Sequence, residues 1–433
     1  MKFINQEDRI QVIDGETNDM NIINDITGFG TTNQDEPFYV FNIGDIVKKH
    51  QIWIEKLPRV IPHYAVKCND NEVVLATLVA LGTSFDCASK AEINKILNLG
   101  VHPERIIFAN PTKQKSHIRF AAMMGVKTMT FDCDIELHKI KAICPDANLV
   151  LRIRCEAEDA QCPLGKKFGC DPSTEAVKLL KIARNLNLNV IGISFHVGSG
   201  CRDYPIYYKA IGICKNLFEE AEALGFNMTL LDIGGGFPGD NDKNIDEVAM
   251  IVNQGLDTYF AEKNVRVIAE PGRFYVSSAF TLVTNIHSKK NIYDETTDDV
   301  NNVMYYINDG VYGSFNCLLY DHQLVKPILL QKPDDDAKKI PSTIWGPTCD
   351  ALDQIVVDIP MPDVNIGDFI IFENMGAYTI PVASPFNGFP LPKVFCFISR
   401  DVWLMIRSLI PLDADDFIED FLNKTIEHAI VSA

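Results

Sequence analysis

The sequence predicts two kinds of domain in one chain of 433 residues, a (β/α)8 barrel of the TIM type followed by an all-β domain. Eight apolar, strand-like runs alternate with amphipathic helical patterns between residues 60 and 270, which is typical of such a barrel. Beyond residue 275, strand-like runs are separated by turn-rich pieces instead, which indicates a β-sandwich or an all-β barrel. An open doubly wound sheet is the alternative interpretation of the first part.

The predicted strands of the barrel are short apolar runs, as expected where both faces of a strand are buried. They cover residues 60–67, 82–87, 105–109, 128–132, 148–154, 190–197, 229–233 and 266–270. The helical patterns cover residues 71–81, 90–99, 113–124, 135–144, 173–187, 205–224 and 246–262. Several of these patterns end in a glycine, the residue that most often follows a helix: Gly82, Gly100, Gly125 and Gly225.

Three segments are predicted along the chain. Residues 1–35 lie outside the barrel repeat and are expected to pack on the β domain, residues 36–274 form the barrel, and residues 275–433 form the β domain. The expected strands of the β domain cover residues 275–286, 303–307, 325–330, 354–358, 368–373 and 394–398. Two polar stretches, 288–302 and 331–339, are predicted to be mobile surface loops.

Charge and cysteine content exclude several classes of function. The net charge is −18, from 58 acidic and 40 basic residues, which argues against binding to nucleic acid or to an anionic membrane. The chain contains no run of about 20 apolar residues that would span a bilayer, and its first residues lack the apolar stretch of a secretory signal. Its twelve cysteines form no C-x-x-C pair and no cluster with zinc spacing, so we expect free thiols, no metal and a cytoplasmic location.

The residues that can carry chemistry collect where the predicted barrel strands end. In a barrel of this type the active site lies at the carboxyl ends of the strands. Those ends supply an amine, two carboxylates, an arginine, an imidazole and two glycine-containing turns: Lys67, Asp86, Glu270, Arg152, His196, Gly234–Gly236 and Gly272–Arg273. A lysine at a buried strand end has a lowered pKa, and its neutral amine can form an imine with an aldehyde. The alternative is a lysine whose ammonium reaches solvent at the rim of the fold.

The glycine turns predict a phosphate site. Three consecutive glycines, Gly234–Gly236, allow backbone N–H groups to converge on an anion. The segment Gly234–Gly239 also fits the dinucleotide fingerprint, but Pro238 and the polar residues after Gly239 favour a loop over the required helix. A phosphate site beside an imine-forming lysine predicts pyridoxal 5′-phosphate, and Glu270 is placed to keep the pyridine nitrogen of this cofactor protonated.

The motifs around these residues resemble those of eukaryotic ornithine decarboxylases, in the alanine-racemase-like (fold type III) class of pyridoxal-phosphate enzymes. In the barrel the resemblance rests on Tyr64–Asn69, Phe85–Lys90, Ser194–Gly200, Asp232–Gly239 and Ala269–Arg273. In the β domain it rests on Asn308–Phe315, Tyr320–His322, Gly346–Asp350 and Gly376–Thr379. The motifs span almost the whole chain, and their combination is far more specific than any one of them.

The resemblance implies a role for each matching residue. Lys67 holds the cofactor as a Schiff base, His196 stacks on its ring, Glu270 pairs with the pyridine nitrogen, and Asp86 and Arg152 order the site. The implied phosphate ligands are Ser199, Gly235, Gly236, Gly272, Arg273 and Tyr378. Cys349 protonates the product, while Asp321 and Asp350 bind the distal ammonium of the substrate and Tyr320 and Phe386 line its pocket. In the family, Cys349 and Asp350 come from the partner subunit of a homodimer, and Lys167 and Asp353 match a pair that bridges subunits.

The implied reaction is decarboxylation of L-ornithine to putrescine and carbon dioxide, the first step of polyamine biosynthesis. Alternative substrates are lysine, arginine and meso-diaminopimelate; the last needs a pocket for a second carboxylate, which Asp321 and Asp350 disfavour. Another alternative is a binding protein without catalysis, as some relatives are, although Lys67, Asp86, His196, Glu270 and Cys349 are all present. An antizyme-type inhibitor is a candidate partner.

The sequence departs from the family pattern at three places. Ala351 follows Asp350 where many relatives have glycine, and a positive φ there would strain the loop that carries Cys349. Pro163 replaces a basic residue common in relatives. The chain ends soon after Ile430, so we expect no degradation tail of the kind found in animal members.

Overall fold

The computed structural model describes residues 10–15, 18–28, 35–155, 157, 159–162, 164–241, 245–262, 264–297, 299–331, 336–412 and 416–419. Pro163 and the end of the chain lie outside these ranges. The chain divides into two compact units. The barrel unit comprises Val47–Tyr275 with Leu409–Pro411, and the β unit comprises the described parts of 1–46, 276–408 and 412–433.

Eight parallel strands close the barrel, as the sequence predicts. Its strands are Val60–Ala65, Ser84–Cys87, Ile106–Phe108, Thr128–Phe131, Asn148–Arg154, Asn189–His196, Leu230–Asp232 and Arg266–Ala269. Neighbours in the chain are neighbours in the barrel, and the last strand pairs with the first. Every predicted strand boundary agrees within two residues, because each strand is a short, buried apolar run bounded by turn residues.

Helices follow the barrel strands on the predicted segments. They are Glu72–Ala80, Lys90–Asn98, Lys115–Met123, Asp134–Ile143, Ala176–Asn185, Pro205–Ala223 and Asp246–Tyr259. A further helix, Ile43–Lys56, precedes the first barrel strand and is missing from the prediction. Asn71 and Ser89 cap two of them through their side-chain oxygens. The four predicted end glycines all have φ between +79° and +84°, so the prediction of left-handed helix ends is confirmed. Within the described residues, no helix is both long and apolar enough to cross a membrane.

The β unit is built on a ten-stranded sheet. Its main path runs Gln354–Pro362, Lys339–Trp345, Val300–Ile307, Phe280–Tyr293, Phe38–Asn42, Lys393–Ser399, Ile10–Ile13 and Phe417–Glu419. Off this path, Phe369–Phe372 pairs with Phe280–Tyr293, and Ile328–Leu329 pairs with Phe369–Phe372. The long strand Phe280–Tyr293 pairs with Phe38–Asn42 and Phe369–Phe372 through its first half and with Val300–Ile307 through its second half. Short helices at Asp19–Gly28, Asn316–Tyr320 and Arg400–Ile406 complete the unit.

The structure differs from the predicted domain limits at the start of the barrel. The sequence predicts that the barrel begins at residue 36, but Phe38–Asn42 pairs with Phe280–Tyr293 and Lys393–Ser399 in the β unit. The barrel unit begins at Val47. A short apolar strand looks the same in either sheet, and only its distant pairing partners decide where it belongs.

Two predictions for the β unit are wrong for a similar reason. The polar stretch 288–302 is not one loop, because its first residues continue the strand Phe280–Tyr293 and its last residues open Val300–Ile307. The strand Lys339–Trp345 is missing from the prediction, since its polar, proline-containing sequence resembles a loop. Each of these strands is ordered by hydrogen bonds to a neighbouring strand, a contribution that local sequence does not reveal.

Candidate active site

Lys67 lies two residues beyond the end of the first barrel strand, in the 3-10 turn Val66–Cys68. Its ammonium forms an ion pair with Asp86, which faces Ala65 in the strand register and is fully buried. The expected burial of Lys67 is wrong, because 41% of its side chain is exposed. The charge partner is therefore what fixes this amine, and its exposure leaves it accessible to a ligand.

His196 ends the sixth barrel strand, where the register pairs it with Arg154 of the fifth. Burial, together with the cations Arg152 and Lys67, holds the pKa of His196 well below its ordinary value. The backbone N–H of Gly198 donates to Nδ1 at 3.0 Å. The neutral ring therefore carries its proton on Nε2. An uncharged, oriented imidazole can stack on a planar ring.

The turn after the seventh strand needs its glycines for close approach. Gly234 and Gly236 have φ of +64° and +109°. A Cβ on Gly235 would lie 2.8 Å from Nε2 of His196, and one on Gly236 would lie 2.7 Å from the hydroxyl of Tyr207. That hydroxyl donates to the carbonyl of Gly235 at 2.7 Å. These contacts fix the turn against its neighbours. The next helix begins only at Asp246, whereas a dinucleotide fingerprint requires a helix directly after the glycines.

Ser199, Gly272 and Arg273 also belong to the barrel unit. Nη2 of Arg273 donates to the hydroxyl of Ser199 at 3.1 Å, which joins the turns after the sixth and eighth strands. A Cβ on Gly272 would lie 2.7 Å from Cβ of Cys68, next to Lys67. These contacts bring two of the predicted phosphate ligands, Ser199 and the buried Arg273, together and place Gly272 against Cys68.

Glu270 follows the eighth strand and shares a buried position with Asp232. Burial and the neighbouring Asp232 and Asp86 hold the pKa of Glu270 well above its ordinary range. Burial raises the pKa of Asp232 to about 7, while its hydrogen bonds to the Gly234 N–H and to Glu270 act against this rise. Ionising both carboxyls would place two negative charges in one buried site, which is energetically unfavourable. The raised pKa values therefore favour a protonated form of the pair when no cation lies close to it.

A second cluster of predicted residues lies in the β unit. The carboxylate of Asp350 accepts hydrogen bonds from the Leu352 N–H and the Tyr312 hydroxyl, and both lower the pKa of Asp350. Tyr312 stacks on Phe386 with ring centroids 4.2 Å apart. Cys349 is exposed, and its N–H donates to Oδ1 of Asn387 at 3.0 Å. The cluster therefore presents an ionised carboxylate beside an accessible thiol.

The other predicted residues of the β unit occupy different environments. Tyr320 ends a short helix and is 70% exposed, whereas Asp321 after it is buried. Tyr378 has φ of +56°, a left-handed conformation that is uncommon for an aromatic residue and that often marks a functional turn.

Sequence reasoning missed four residues that organise these two clusters. Asp232, Tyr207, Tyr312 and Asn387 received no role, although Asp232 and Tyr312 lie inside recognised motifs. Asp232 could have been found, because it is the last residue but one of a predicted strand, as Asp86 is, and Glu270 is the last residue of another. Tyr207 and Asn387 gave no signal, since their contacts join residues 28 and 38 positions apart in the chain.

Comparisons with known proteins place this chain in a family. The pyridoxal binding domain of pyridoxal-dependent decarboxylases matches residues 43–277. An ornithine decarboxylase of Rattus norvegicus is 49% identical over 89% of this chain and 85% of its own length. A protein named antizyme inhibitor 2, of Xenopus laevis, is 48% identical over 90% of this chain and 86% of its own. The arginine decarboxylase of Paramecium bursaria Chlorella virus, solved with agmatine, is 38% identical with a TM-score of 0.83 over 88% of this chain and all of that chain.

The chain belongs to the pyridoxal-dependent decarboxylase family of fold type III. Its cofactor is pyridoxal phosphate, and the barrel unit fits this group. Oδ1 of Asp86 and Oδ2 of Asp232 are buried without a hydrogen-bond partner among the described residues. Both oxygens can therefore accept hydrogen bonds from a bound group. The glycine turn excludes side chains where a phosphate would need backbone N–H groups, and the Asp232–Glu270 pair suits a protonated pyridine nitrogen.

Proposed function

We propose that this chain decarboxylates L-ornithine to putrescine and carbon dioxide, the first step of polyamine biosynthesis. The observation that carries the proposal is the Asp350 carboxylate, kept ionised by two donors and adjacent to the exposed Cys349. An ionised carboxylate suits the distal ammonium of a basic amino acid, and a nearby thiol suits the delivery of one proton. The similarity to the rat ornithine decarboxylase supports ornithine as the substrate.

The barrel residues bind and orient the cofactor in this proposal. Lys67 holds its aldehyde carbon covalently, and neutral His196 stacks on its ring. Glu270, with Asp232 beside it, keeps the pyridine nitrogen protonated, so that the bound ring can accept the electrons left by departing carbon dioxide. Asp86 pairs with the amine of Lys67, and Arg152 adds positive charge beside His196.

The phosphate of the cofactor has its own set of ligands. Because phosphate oxygens accept hydrogen bonds, they suit the N–H groups and hydroxyls at Ser199, Gly235, Gly236, Gly272 and Tyr378 and the guanidinium of Arg273.

The β-unit residues act on the substrate. Asp350 and Asp321 bind its distal ammonium, Tyr320 and Phe386 line its chain, and the thiol of Cys349 gives a proton to Cα. We propose that the active site is shared between two subunits of a homodimer, with Cys349 and Asp350 supplied by the partner. Their position at the surface of their own unit supports this arrangement, since a residue that completes a second site must be exposed before assembly.

Carbon dioxide release from a panel of amino acids tests the proposal. The purified protein is assayed with ornithine, lysine, arginine and meso-diaminopimelate, with and without added pyridoxal phosphate. We expect ornithine to react fastest and lysine about 10- to 200-fold more slowly, because one methylene changes binding only modestly. Faster turnover of any other member of the panel would contradict the proposed substrate.

A binding protein without catalysis is the second candidate, because the Xenopus relative is named for antizyme inhibition and is nearly as similar as the rat enzyme. Bound cofactor that absorbs visible light, together with ornithine turnover, would decide against this candidate. Binding of an antizyme-type inhibitor and a cytoplasmic location stay predictions; a pull-down with purified antizyme tests the first.

A further inference from the structure

Asp353 is buried inside its own subunit and saturated with hydrogen-bond donors. It is 1% exposed, although the family resemblance pairs it with Lys167 of a second subunit. Its Oδ1 accepts the Val311 N–H at 2.7 Å, and its Oδ2 accepts both the N–H and the hydroxyl of Thr348, at 2.9 and 2.6 Å. Among the described residues of its own chain, no basic side chain lies at ion-pair distance from Asp353. Donors of its own chain therefore stabilise this carboxylate.

The surrounding backbone is shaped to admit this carboxylate. A Cβ on Gly310 would lie 2.1 Å from Oδ1 of Asp353, and one on Gly346 would lie 2.2 Å from the same atom. The carbonyl of Asp353 accepts the Gly346 N–H at 2.8 Å, and its own N–H donates to the carbonyl of Asp350 at 3.1 Å. Residues 346–353, called here the Cys349 loop, are thus joined end to end by a backbone hydrogen bond and packed around the side chain of Asp353.

We propose that Asp353 is a positioning residue that fixes the Cys349 loop within its own subunit. The loop carries the thiol and the carboxylate that the proposed function assigns to substrate, and the inference rests on that assignment. Asp353 ties the loop at Thr348 to the backbone at Val311, one residue before the Tyr312 that donates to Asp350. Loss of this acceptor leaves Cys349 and Asp350 attached to a loop without its internal anchor, and misplacement of a reacting group by about 1 Å can cost about 100-fold in rate.

Four variants separate this role from a bridge between subunits. Asp353→Asn keeps the volume but presents an NH2 group to one of the donors. Thr348→Val removes only the hydroxyl bond. Asp358→Asn is the matched control, because Asp358 is exposed and asparagine tolerates its φ of +51°. Lys167→Ala removes the cation that the bridge would require.

Three measurements are made on each variant as holoenzyme. Cys349 alkylation by iodoacetamide is followed by peptide mass spectrometry without substrate, kcat and KM are determined with ornithine, and dimer content is measured by sedimentation velocity. Cys349 is the one cysteine of the twelve classed as exposed, so its alkylation reports on the loop.

We expect Asp353→Asn to remain dimeric, to alkylate at Cys349 several-fold faster and to lose kcat about 10-fold or more. Thr348→Val should also raise the alkylation rate and lower kcat, each by less than Asp353→Asn does. Asp358→Asn and Lys167→Ala should leave the alkylation rate unchanged. Unchanged alkylation in both Asp353→Asn and Thr348→Val would overturn the inference. So would a Lys167→Ala variant that reproduces the Asp353→Asn defects with loss of dimers. Because alkylation needs no turnover, it tests the loop even if ornithine proves not to be the substrate.

Discussion

The barrel unit and the β unit hold their site residues in opposite ways. In the barrel, Asp86, Asp232, Glu270 and Arg273 are buried, and their charges are set by burial and by one another. In the β unit, Cys349 and Tyr320 are exposed, and Phe386 is 41% exposed. The comparison shows that the barrel buries most of the charged groups of its predicted cofactor site, whereas the β unit exposes Cys349 and Tyr320, which the proposed function assigns to the substrate.

Replacement of Lys67 is the most severe test of the barrel side. Lys67→Ala removes the amine that holds the cofactor, so turnover should fall by more than about 1,000-fold. Loss of the amine should also change the visible absorbance of the bound cofactor. Lys67→Arg is the control, because it keeps a cation beside Asp86 without a nucleophilic amine. Substantial turnover by Lys67→Ala would remove Lys67 from its assigned role.

Mixed subunits test whether the exposed cluster completes a second site. Lys67→Ala and Cys349→Ala proteins are each expected to be nearly inactive. With random exchange, half of the dimers are hybrids with one intact site of two, so activity should recover to about a quarter of the wild-type value. Lys67→Ala mixed with itself is the control. If exchange is demonstrated and no activity returns, the active site is not shared.

The buried carboxyl pair predicts a pH dependence confined to the barrel. Because the pKa of Asp232 is raised to about 7 in the fold, the pair favours folding while it holds its proton. That contribution is present below the ordinary carboxyl range and is lost as pH rises through about 7. Thermal unfolding of the cofactor-free protein should therefore shift to lower temperature between pH 5 and 8.

A pair of variants isolates the carboxyl pair from the general effect of an acidic chain. Glu270→Gln should flatten the pH dependence of the unfolding temperature, whereas the exposed Glu104→Gln should leave it as in the wild type. Identical slopes for wild type and Glu270→Gln would show that no proton is shared.

The smallest effect is expected at Ala351, beside the exposed cluster. Positive φ occurs at six non-glycine residues of the described chain, and Ala351 is not one of them, so the strain considered for this position is absent. Ala351→Gly should lower the free energy of unfolding by about 0.4–1 kcal/mol through a more flexible unfolded chain and leave kcat unchanged. Denaturant titration measures the first quantity; a gain in stability would indicate strain at Ala351 after all.

The sequence determined the barrel and much of its chemistry by itself. Strand limits, helix ends at Gly82 and Gly100, and the strand-end positions of Asp86 and His196 follow from signals within a few residues of each position. A parallel barrel then brings the strand ends to one face whatever the reaction. For this reason Lys67, His196 and Glu270 could be assigned before any coordinates were known.

Only the tertiary structure decided which sheet takes Phe38–Asn42, that Lys67 is exposed and paired, and that burial raises the pKa values of both Asp232 and Glu270. The burial of Asp353 within its own chain belongs to the same group. Each of these depends on residues distant in sequence, because desolvation, strand pairing and hydrogen-bond saturation are set by what packs against a group. Local sequence identifies a group and predicts the helix or strand that carries it, but it does not reveal which residues pack against that group.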